Sequence, residues 1–312
     1  MPSLRDASSA YTAPVRDDAR TLVSGLARRL SRITPERLLR HGNIQLERAG
    51  KRIARTLTLH PVRTKRPVFI SGSNRSGTQM VCRAIGNSPH GWDYPEADFS
   101  IAFERYSLRS HAVIERLIDF APAPYVSFGS ILDSQFTDAL LDRFDNSRAI
   151  WVYRRYEDAV NSSIRSWGSH QKNMMRLVSQ GKLSHLGPRG LRIADDTVAL
   201  IRRLYSESLS DEECGCLYWY MRNRVFFDLG LDRDPRVIAL QYEDAVLHPE
   251  RSFRSVFRFL GGPYHASVVS DVFATSVGKQ GWRGVSAEIR DLCDALKARL
   301  GAEHAHTLGG WG

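Results

Sequence analysis

The stretch SGSNRSGTQM, residues 71–80, lies between an apolar run and a segment with the pattern of a helix. A strand, a glycine-containing turn and a helix start bind anions, because free backbone N–H groups and the helix dipole point into the turn. Gly72 and Gly77 have the glycine spacing of the phosphate-binding loop of nucleoside triphosphatases, but Thr78 replaces its lysine. The turn contains one cation, Arg75. The stretch therefore predicts an anion site that works without that lysine.

From residue 67 onward, short β-rich runs alternate with segments of helical periodicity. This alternation predicts an α/β fold, in which a parallel sheet is flanked by helices and binds its ligand at the carboxyl ends of the strands. The segment 167–192 is rich in Ser, Gly, Lys and His and is predicted to be a mobile loop. Strands are predicted at 67–71, 124–128, 148–153 and 236–241, and helices at 77–87, 134–144, 155–166, 195–208, 211–229, 249–260 and 285–299.

The composition is typical of a globular protein. The 312 residues are 42% hydrophobic, and no apolar run is long enough to span a bilayer. The first twenty residues lack the apolar segment of a signal peptide, so we expect a cytoplasmic protein. The four cysteines are too few and too scattered for a disulfide framework, and we interpret them as thiols in a reducing compartment.

The net charge of +10 belongs to the N-terminal part of the chain. Residues 1–66 contain 15 Lys and Arg against 5 Asp and Glu, whereas the rest of the chain contains 29 of each. A main domain without excess positive charge is not typical of nucleic-acid-binding proteins, so we expect no nucleic-acid partner. The sequence thus predicts a basic extension at 1–66 and one main domain at 67–312.

The basic extension has the pattern of amphipathic helices. Its first apolar stripe contains Leu22, Val23, Leu26, Leu30 and Ile33. A second helix is predicted to open at Thr34-Pro35-Glu36, where an N-cap residue precedes a first-turn proline. One interpretation is attachment to an anionic membrane surface, at the inner face of the membrane. The other is packing on the main domain or on a second copy in a homo-oligomer, and both stay open here.

A second anion site is predicted within WVYRRYEDAVNSSIR, residues 151–165, which is again an apolar strand followed by a helix. Arg154 ends the strand, and Ser162 lies eight residues further on, about two helical turns after the strand stops. Two anion sites at strand–helix junctions suggest one ligand with two separated phosphate groups. A nucleotide with a 5′ phosphate and another phosphate on its ribose would satisfy both.

These stretches resemble the sulfotransferases that use 3′-phosphoadenosine 5′-phosphosulfate. The first loop of that family has a Lys/Arg-Ser-Gly-Thr core, here Arg75-Ser76-Gly77-Thr78 followed by Gln79. The resemblance implies that this loop wraps the 5′ phosphosulfate. Arg154 and Ser162 match the family's pair for the 3′ phosphate, although Arg155-Tyr156-Glu157 replace its usual Asp-Pro-Arg.

Two later stretches extend the resemblance. Residues 241–263, QYEDAVLHPERSFRSVFRFLGGP, are similar to the family's Tyr-Glu-Asp-Leu, Pro-Glu and Phe-Leu-Gly segment, which implies that Tyr242 lies near the nucleotide. Residues 276–282, SVGKQGW, are similar to a late nucleotide-covering segment, in which Lys279 is the candidate contact. The resemblance spans residues 67–300 and implies a P-loop-like sulfotransferase fold with the phosphosulfate as co-substrate.

The nature of the transferred group explains the missing lysine. A γ-phosphoryl group is heavily charged, and its transfer normally requires Lys and Mg²⁺. A sulfuryl group carries much less charge, so one cation and the backbone amides suffice. We expect Arg75 to neutralise the oxygen that links sulfur to the departing 5′ phosphate. No metal is expected, since the sequence has no obvious Asp/Glu cluster for Mg²⁺.

The acceptor side requires a base, because a hydroxyl or amine loses its proton as it attacks sulfur. In some family members a Glu that follows the loop arginine has this role, and Glu96 lies 21 residues after Arg75. Asp98 and His111 are the alternatives. Apolar neighbours are expected to desolvate Glu96 and raise its pKa. These neighbours are Trp92, Tyr94, Pro95 and Phe99.

Many family members carry a lysine on the strand before the second phosphate segment, where this chain has YVSFGSI, residues 125–131. Aromatic side chains of the helix at 211–229 are expected to be mostly core, although stacking on a sugar ring is the alternative. They are Tyr218, Trp219, Tyr220, Phe226 and Phe227.

The sequence therefore predicts a sulfotransferase whose acceptor is a hydroxyl or an amine. A glycan or glycolipid is favoured, because basic helices suit work at a membrane surface. A soluble alcohol, a phenol or a peptide tyrosine is also consistent with the sequence. Two other classes stay open: a nucleotide kinase or NTPase with a degenerate loop, which would bind triphosphate with Mg²⁺, and a non-catalytic membrane adaptor that kept the fold.

Overall fold

The computed structural model describes Gly50, residues 64–273, Gly278 and residues 284–309. The chain divides into two compact units, residues 1–62 and 63–312, and all described residues except Gly50 belong to the second. The predicted amphipathic helices lie outside the described residues. The boundary predicted between residues 66 and 67 stays a prediction.

A parallel sheet of five strands forms the centre of the second unit, in the order β2-β5-β1-β6-β7. The strands are β1 (Arg66–Gly72), β2 (Gly91–Tyr94), β5 (Tyr125–Gly129), β6 (Arg148–Tyr153) and β7 (Val237–Gln241), and a separate antiparallel hairpin consists of β3 (Phe103–Glu104) and β4 (Ser107–Leu108). The inner strands are buried along nearly their whole length, as in sheets covered on both faces. The predicted α/β class is confirmed, and all four predicted strands are present.

Helices cover both faces of the sheet. The α-helices are α1 (Thr78–Asn87), α2 (His111–Asp119), α3 (Thr137–Arg143), α4 (Tyr156–Trp167), α5 (His170–Ser179), α6 (Asp195–Leu204), α7 (Asp211–Asp228), α8 (Tyr242–Leu247), α9 (Pro249–Phe259) and α10 (Ala287–Gly309). Short 3₁₀ helices lie at Ser134–Phe136, Leu183–Gly190, Leu231–Arg233 and Ala266–Val269. Within the described part of the chain, every helix is too short or too polar to cross a bilayer.

Helix α7 is buried over most of its length. It packs against α4, α5 and α10, and its side chains from Cys214 to Asn223 are all buried. Its start is fixed by a capping box, in which Ser210 Oγ accepts from the Glu213 amide at 3.1 Å. Because Tyr218, Trp219 and Tyr220 belong to the core, the interpretation of these aromatic residues as mostly core is confirmed.

The prediction of a mobile loop over 167–192 is wrong. Helix α5 and a 3₁₀ helix occupy most of this segment. Gln171, Met174, Met175 and Val178 recur at helical spacing and are buried against the core. Polar residues between them hide this periodicity in the sequence. Further elements that were not predicted include β2, the hairpin, α2 and α8. Strand β2 and the hairpin strands are only two to four residues long, α8 has six residues, and α2 buries just two side chains.

Candidate active site

The loop predicted to bind an anion joins β1 to α1 at the carboxyl edge of the sheet. Gly77 has a φ of 89°, and a Cβ atom there would lie 2.2 Å from the Tyr242 ring. A Cβ atom on Gly72 would lie 2.1 Å from the Val152 carbonyl oxygen. Both positions therefore require glycine. Arg75 itself has a φ of 66°, in the left-handed region that side-chain-bearing residues rarely adopt.

The first turn of α1 is open to an anion. It begins at Thr78 and Gln79, its N-cap is Gly77 without a side-chain cap, and it contains no acidic residue. The first N–H groups of a helix have no partner within the helix, and the dipole there favours negative charge. The buried Ser76 Oγ lies within hydrogen-bond distance of the Ser73 Oγ, at 2.8 Å, and this contact connects the two ends of the turn.

The structure brings the two predicted anion sites together. Arg75 Nε donates to Ser162 Oγ at 2.9 Å, which joins the first loop to helix α4. Arg154, at the end of β6, places its guanidinium carbon 4.6 Å from the centre of the Tyr242 ring, a cation–π contact. Its Nη1 also donates to the Arg75 carbonyl at 3.4 Å. Because Tyr242 covers Gly77, residues from β1, β6, α4 and α8 form one continuous site.

This site has an excess of positive charge. Partial burial, and then the charges of Arg154 and Arg165, lower the pKa of Arg75. The Glu243 carboxylate lies 3.9 Å from Arg154 Nε, and both side chains are buried. Clustered cations that raise one another's free energy favour binding of a multiply charged anion.

Glu96 follows β2 and reaches the same edge of the sheet. The Gln79 side-chain amide donates to the Glu96 carbonyl at 3.3 Å, and the Glu96 backbone lies against Gly129 at the end of β5. The Leu132 amide donates to Glu96 Oε1 at 3.0 Å. The candidate base is thus anchored beside the first turn of α1, next to the anion loop.

Burial raises the pKa of Glu96 to about 8. The Leu132 amide lowers the pKa, the Asp133 charge raises it, and the charges of Arg222 and Arg189 lower it, each by less than burial does. The predicted increase in this pKa is therefore confirmed. Phe99 was expected to help bury the carboxyl, but it is 58% exposed and lies 4.8 Å from the Arg109 guanidinium.

The alternative bases lie in other surroundings. Asp98 is exposed, and its carbonyl accepts from the Arg105 amide at 2.6 Å in the turn before the hairpin. His111 begins α2 and packs edge-on against Phe144, with 5.7 Å between ring centres. Phe144 precedes β6, towards the amino end of that strand, whereas the anion loop lies at the carboxyl edge. The geometry favours Glu96.

Lys279 lies outside the described residues, so its predicted contact with the nucleotide stays a prediction. Its described neighbour Gly278 donates its amide to Asp158 Oδ2 at 3.3 Å, in the first turn of α4. Among the described residues, no group of three or more His, Cys, Asp or Glu side chains is arranged to hold a metal ion.

Several residues of the site were missed in the sequence. Trp167 ends α4, is 46% exposed, and its ring centre lies 5.6 Å from the Arg75 guanidinium. Helix α7 contributes the buried Arg222, and its Tyr218, which was expected to be core, also reaches the loop, because its hydroxyl donates to Asn74 Oδ1 at 3.1 Å. An arginine within an otherwise buried run was the available signal, because a charged residue in a core usually has a specific role.

Three solved structures that are similar to this chain are sulfotransferases. The sulfotransferase domain of an olefin synthase from Synechococcus PCC 7002 is 14% identical, with 77% of this chain and 98% of that chain covered and a TM-score of 0.44. The sulfotransferase from Alicyclobacillus acidocaldarius is 17% identical, with 80% and 99% covered and a TM-score of 0.41. A mouse sulfotransferase complexed with PAP is 12% identical, with 79% and 89% covered and a TM-score of 0.38. No family model and no curated protein matches the sequence.

Proposed function

We propose that this protein is a sulfotransferase that moves a sulfuryl group from 3′-phosphoadenosine 5′-phosphosulfate to a hydroxyl or amine. The observation that carries the proposal is the Arg75–Ser162 hydrogen bond, which joins two anion sites into one beside Arg154. A lysine-free loop and a second cationic site fit a nucleotide with separated 5′ and 3′ anionic groups. The raised pKa of Glu96, at the same edge of the sheet, supports transfer to an acceptor that must lose a proton.

In this proposal the loop and the first turn of α1 bind the 5′ phosphosulfate. Ser76, Gly77, Thr78 and Gln79 supply backbone N–H groups, which the helix dipole assists. Arg75 neutralises the charge that develops on the departing 5′ phosphate oxygen. The donor, when bound, supplies an activated sulfuryl group, and no Mg²⁺ is required to neutralise it.

The 3′ phosphate is assigned to Arg154 and Ser162, with Tyr242 beneath the nucleotide. Arg154 is held by its contact with the Tyr242 ring and its ion pair with Glu243, so its guanidinium is preorganised. Ser162 already bonds Arg75, so one serine connects the two phosphate subsites.

Glu96 is assigned as the general base for the acceptor, and the acceptor class that we propose is a glycan or glycolipid. We also propose that the protein works in the cytoplasm at the inner face of the membrane, through the basic segment 1–66. Support for this location comes from the sequence, where the whole net charge of +10 falls in that segment.

The donor assignment predicts which nucleotide stabilises the protein. We expect 3′,5′-diphosphoadenosine to raise the melting temperature without a divalent metal. At a hundredfold excess over its Kd, it should raise the free energy of unfolding by about 2.7 kcal/mol. ATP with Mg²⁺ should stabilise far less. Arg154→Ala or Ser162→Ala should remove the preference for the 3′ phosphate, as measured by thermal shift against 5′-AMP.

The neighbouring Arg155 offers a matched control for that experiment. Its side chain is 41% exposed and pairs with Asp158 instead of the Tyr242 ring, so Arg155→Ala should keep the preference. Equal stabilisation of the unaltered protein by 5′-AMP and by the diphosphate would contradict the assignment. Mg²⁺-dependent stabilisation by ATP alone would favour a kinase or NTPase.

The N-terminal segment is predicted to bind anionic lipid and to contribute little to the chemistry. A chain that begins at Thr64 keeps all of β1 and the bond from Lys65 Nζ to the Ala121 carbonyl. We expect it to retain turnover on a soluble acceptor but to lose sedimentation with anionic vesicles. Salt should weaken the binding of the full-length chain. If the full-length chain ignores such vesicles at low salt, the segment serves packing or dimerisation instead.

A further inference from the structure

Arg222 is a charged residue at the centre of the fold. It lies in the middle of helix α7 and its side chain is 1% exposed. Its neighbours along the helix, Trp219, Met221 and Val225, are buried apolar residues of the core. A guanidinium in such a place loses its hydration, and an apolar side chain of similar volume is often equally or more stabilising. A buried arginine here therefore points to a polar task.

That task is visible in the hydrogen bonds of Arg222. Nη1 donates to Gln135 Oε1 at 2.9 Å, and Nη2 donates to the Ile131 carbonyl at 3.0 Å. Gln135 Nε2 in turn donates to the Leu132 carbonyl at 2.7 Å. Arg222 thus holds both ends of the turn Ile131–Gln135, which we name the base turn.

The base turn contacts both halves of the proposed active site. The Leu132 amide donates to Glu96 Oε1 at 3.0 Å. Ser134 Oγ accepts from the Gly72 amide at 2.9 Å, at the start of the anion loop. The turn therefore sets where the Glu96 carboxylate lies relative to the loop that contains Arg75.

An electrostatic interaction also couples Arg222 to Glu96. The Glu96 carboxyl faces three charged groups from other elements: Asp133 of the base turn, Arg222 of α7 and Arg189 of the 3₁₀ helix before α6. Arg222 faces Tyr218, Arg189, Glu96 and Asp133. The Arg222 charge lowers the pKa of Glu96, and so favours the form that can accept a proton.

We propose that Arg222 is a positioning residue for the base: its two hydrogen bonds fix the base turn, whose Leu132 amide holds the Glu96 carboxylate. This inference rests on the proposed function for the role of Glu96, but the contacts and the charge coupling do not depend on which reaction the site catalyses.

The test uses full-length protein with Arg222→Met, which removes both charge and hydrogen bonds, and Arg222→Lys, which keeps the charge but loses the planar fork. Isotope-edited NMR of glutamate-labelled protein follows the ionisation of the Glu96 carboxyl, assigned by its absence in Glu96→Gln. We expect the midpoint to move to higher pH in both variants, because both weaken the hold of the Leu132 amide on Glu96, and to move further in Arg222→Met, which also removes the charge. Turnover at the pH optimum should fall about tenfold or more in both variants, with the affinity for 3′,5′-diphosphoadenosine retained.

Arg236 provides a matched control. Its Nη1 donates to the Leu141 carbonyl at 3.0 Å and its Nη2 pairs with Asp142, but it precedes β7 at the amino edge of the sheet. Arg236→Met and Arg236→Lys should change thermal stability without moving the Glu96 midpoint. If Arg222→Met does not fold, Gln135→Met replaces it, because it removes the bonds to Arg222 and to the Leu132 carbonyl while the charge remains. Turnover should fall, and the midpoint should rise as the loosened turn releases the Leu132 amide from Glu96.

Two results would overturn the proposal. One is folded Arg222→Met with unchanged turnover and an unchanged Glu96 midpoint. The other is the same loss of turnover and the same midpoint shift in the Arg236 variants, which would make both effects a consequence of general destabilisation. If the unaltered protein transfers no sulfuryl group but its Glu96 midpoint responds to Arg222→Met as expected, the proposed function fails while the coupling of Arg222 to Glu96 is supported.

Discussion

Glu96→Gln is expected to lower turnover by about 10² to 10⁴, the usual contribution of a general base. Glutamine keeps the shape of the side chain and an oxygen that can accept from the Leu132 amide, but it cannot take up the acceptor's proton. Affinity for 3′,5′-diphosphoadenosine should be nearly unchanged, because the donor contacts are assigned to the loop and to Arg154. Steady-state kinetics and calorimetric titration measure the two quantities separately.

The pH dependence provides a second readout of this variant. Since burial raises the pKa of Glu96 to about 8, the ionised base becomes abundant only near and above that pH. Turnover of the unaltered protein should therefore rise through this range, and the acid limb should vanish in Glu96→Gln.

The stability of the folded state should fall as the pH rises, whereas turnover should increase. A carboxyl whose pKa is raised by folding from 4.5 to about 8 favours the folded state at low pH, and this contribution is lost as the pH rises through 8. Glu96→Gln should consequently melt at a higher temperature than the unaltered protein above that pH, which also shows that the variant is folded. Near-normal activity of Glu96→Gln, with activity abolished in Asp98→Asn or His111→Ala, would identify a different base.

Arg75→Ala is expected to lower turnover by about 10² to 10³, the usual loss for one group that stabilises charge in the transition state. Nucleotide binding should weaken much less, because the backbone N–H groups of the loop and of α1 remain. The structure adds one consequence: the variant also removes the donor to Ser162 Oγ, so some selectivity for the 3′ phosphate should be lost as well.

Two control variants separate these effects. Arg75→Gln keeps a side-chain N–H group that can donate to Ser162 Oγ but removes the charge, and it should resemble Arg75→Ala in turnover. Arg165 is exposed and acts on Arg75 through its charge, so Arg165→Ala should have a small effect. An equal loss of turnover in Arg165→Ala would exclude the assigned role of Arg75. The role would also be excluded if Arg75→Ala bound the nucleotide much more weakly but, once saturated, turned over at a near-normal rate.

The central fold could be predicted because its strands are continuous apolar runs. Val68, Phe69 and Ile70 are fully buried on both faces, and such runs are visible without any knowledge of contacts. Strand β2 could not be predicted in the same way, since its four residues alternate too briefly to show a period. Helix α5 was missed because the polar residues between its buried positions concealed the regular buried face.

The sequence predicted one ligand for both strand–helix junctions, but not the contacts that join them. Each strand–helix junction showed its own cation, yet the hydrogen bond between Arg75 and Ser162 spans 87 positions of sequence and depends on how β1 and β6 pair. The sequence drew attention only to the segment 125–131 that leads into the base turn, and only because it lacks a lysine. The contacts of the base turn with Glu96 and Arg222 arise from the packing of α7, which no local pattern encodes.

The most direct test of the central claim is transfer of a labelled sulfuryl group. The full-length protein would be incubated with sulfur-labelled 3′-phosphoadenosine 5′-phosphosulfate, a chelator of divalent metals, and a panel of glycans, glycolipids, phenols and peptides, followed by mass spectrometry of each acceptor. The proposed function predicts one sulfuryl group gained by a glycan or glycolipid, with the gain greatly reduced in Glu96→Gln and in Arg75→Ala. Phosphoryl transfer from ATP that requires Mg²⁺, with no acceptor gaining sulfur, would contradict it.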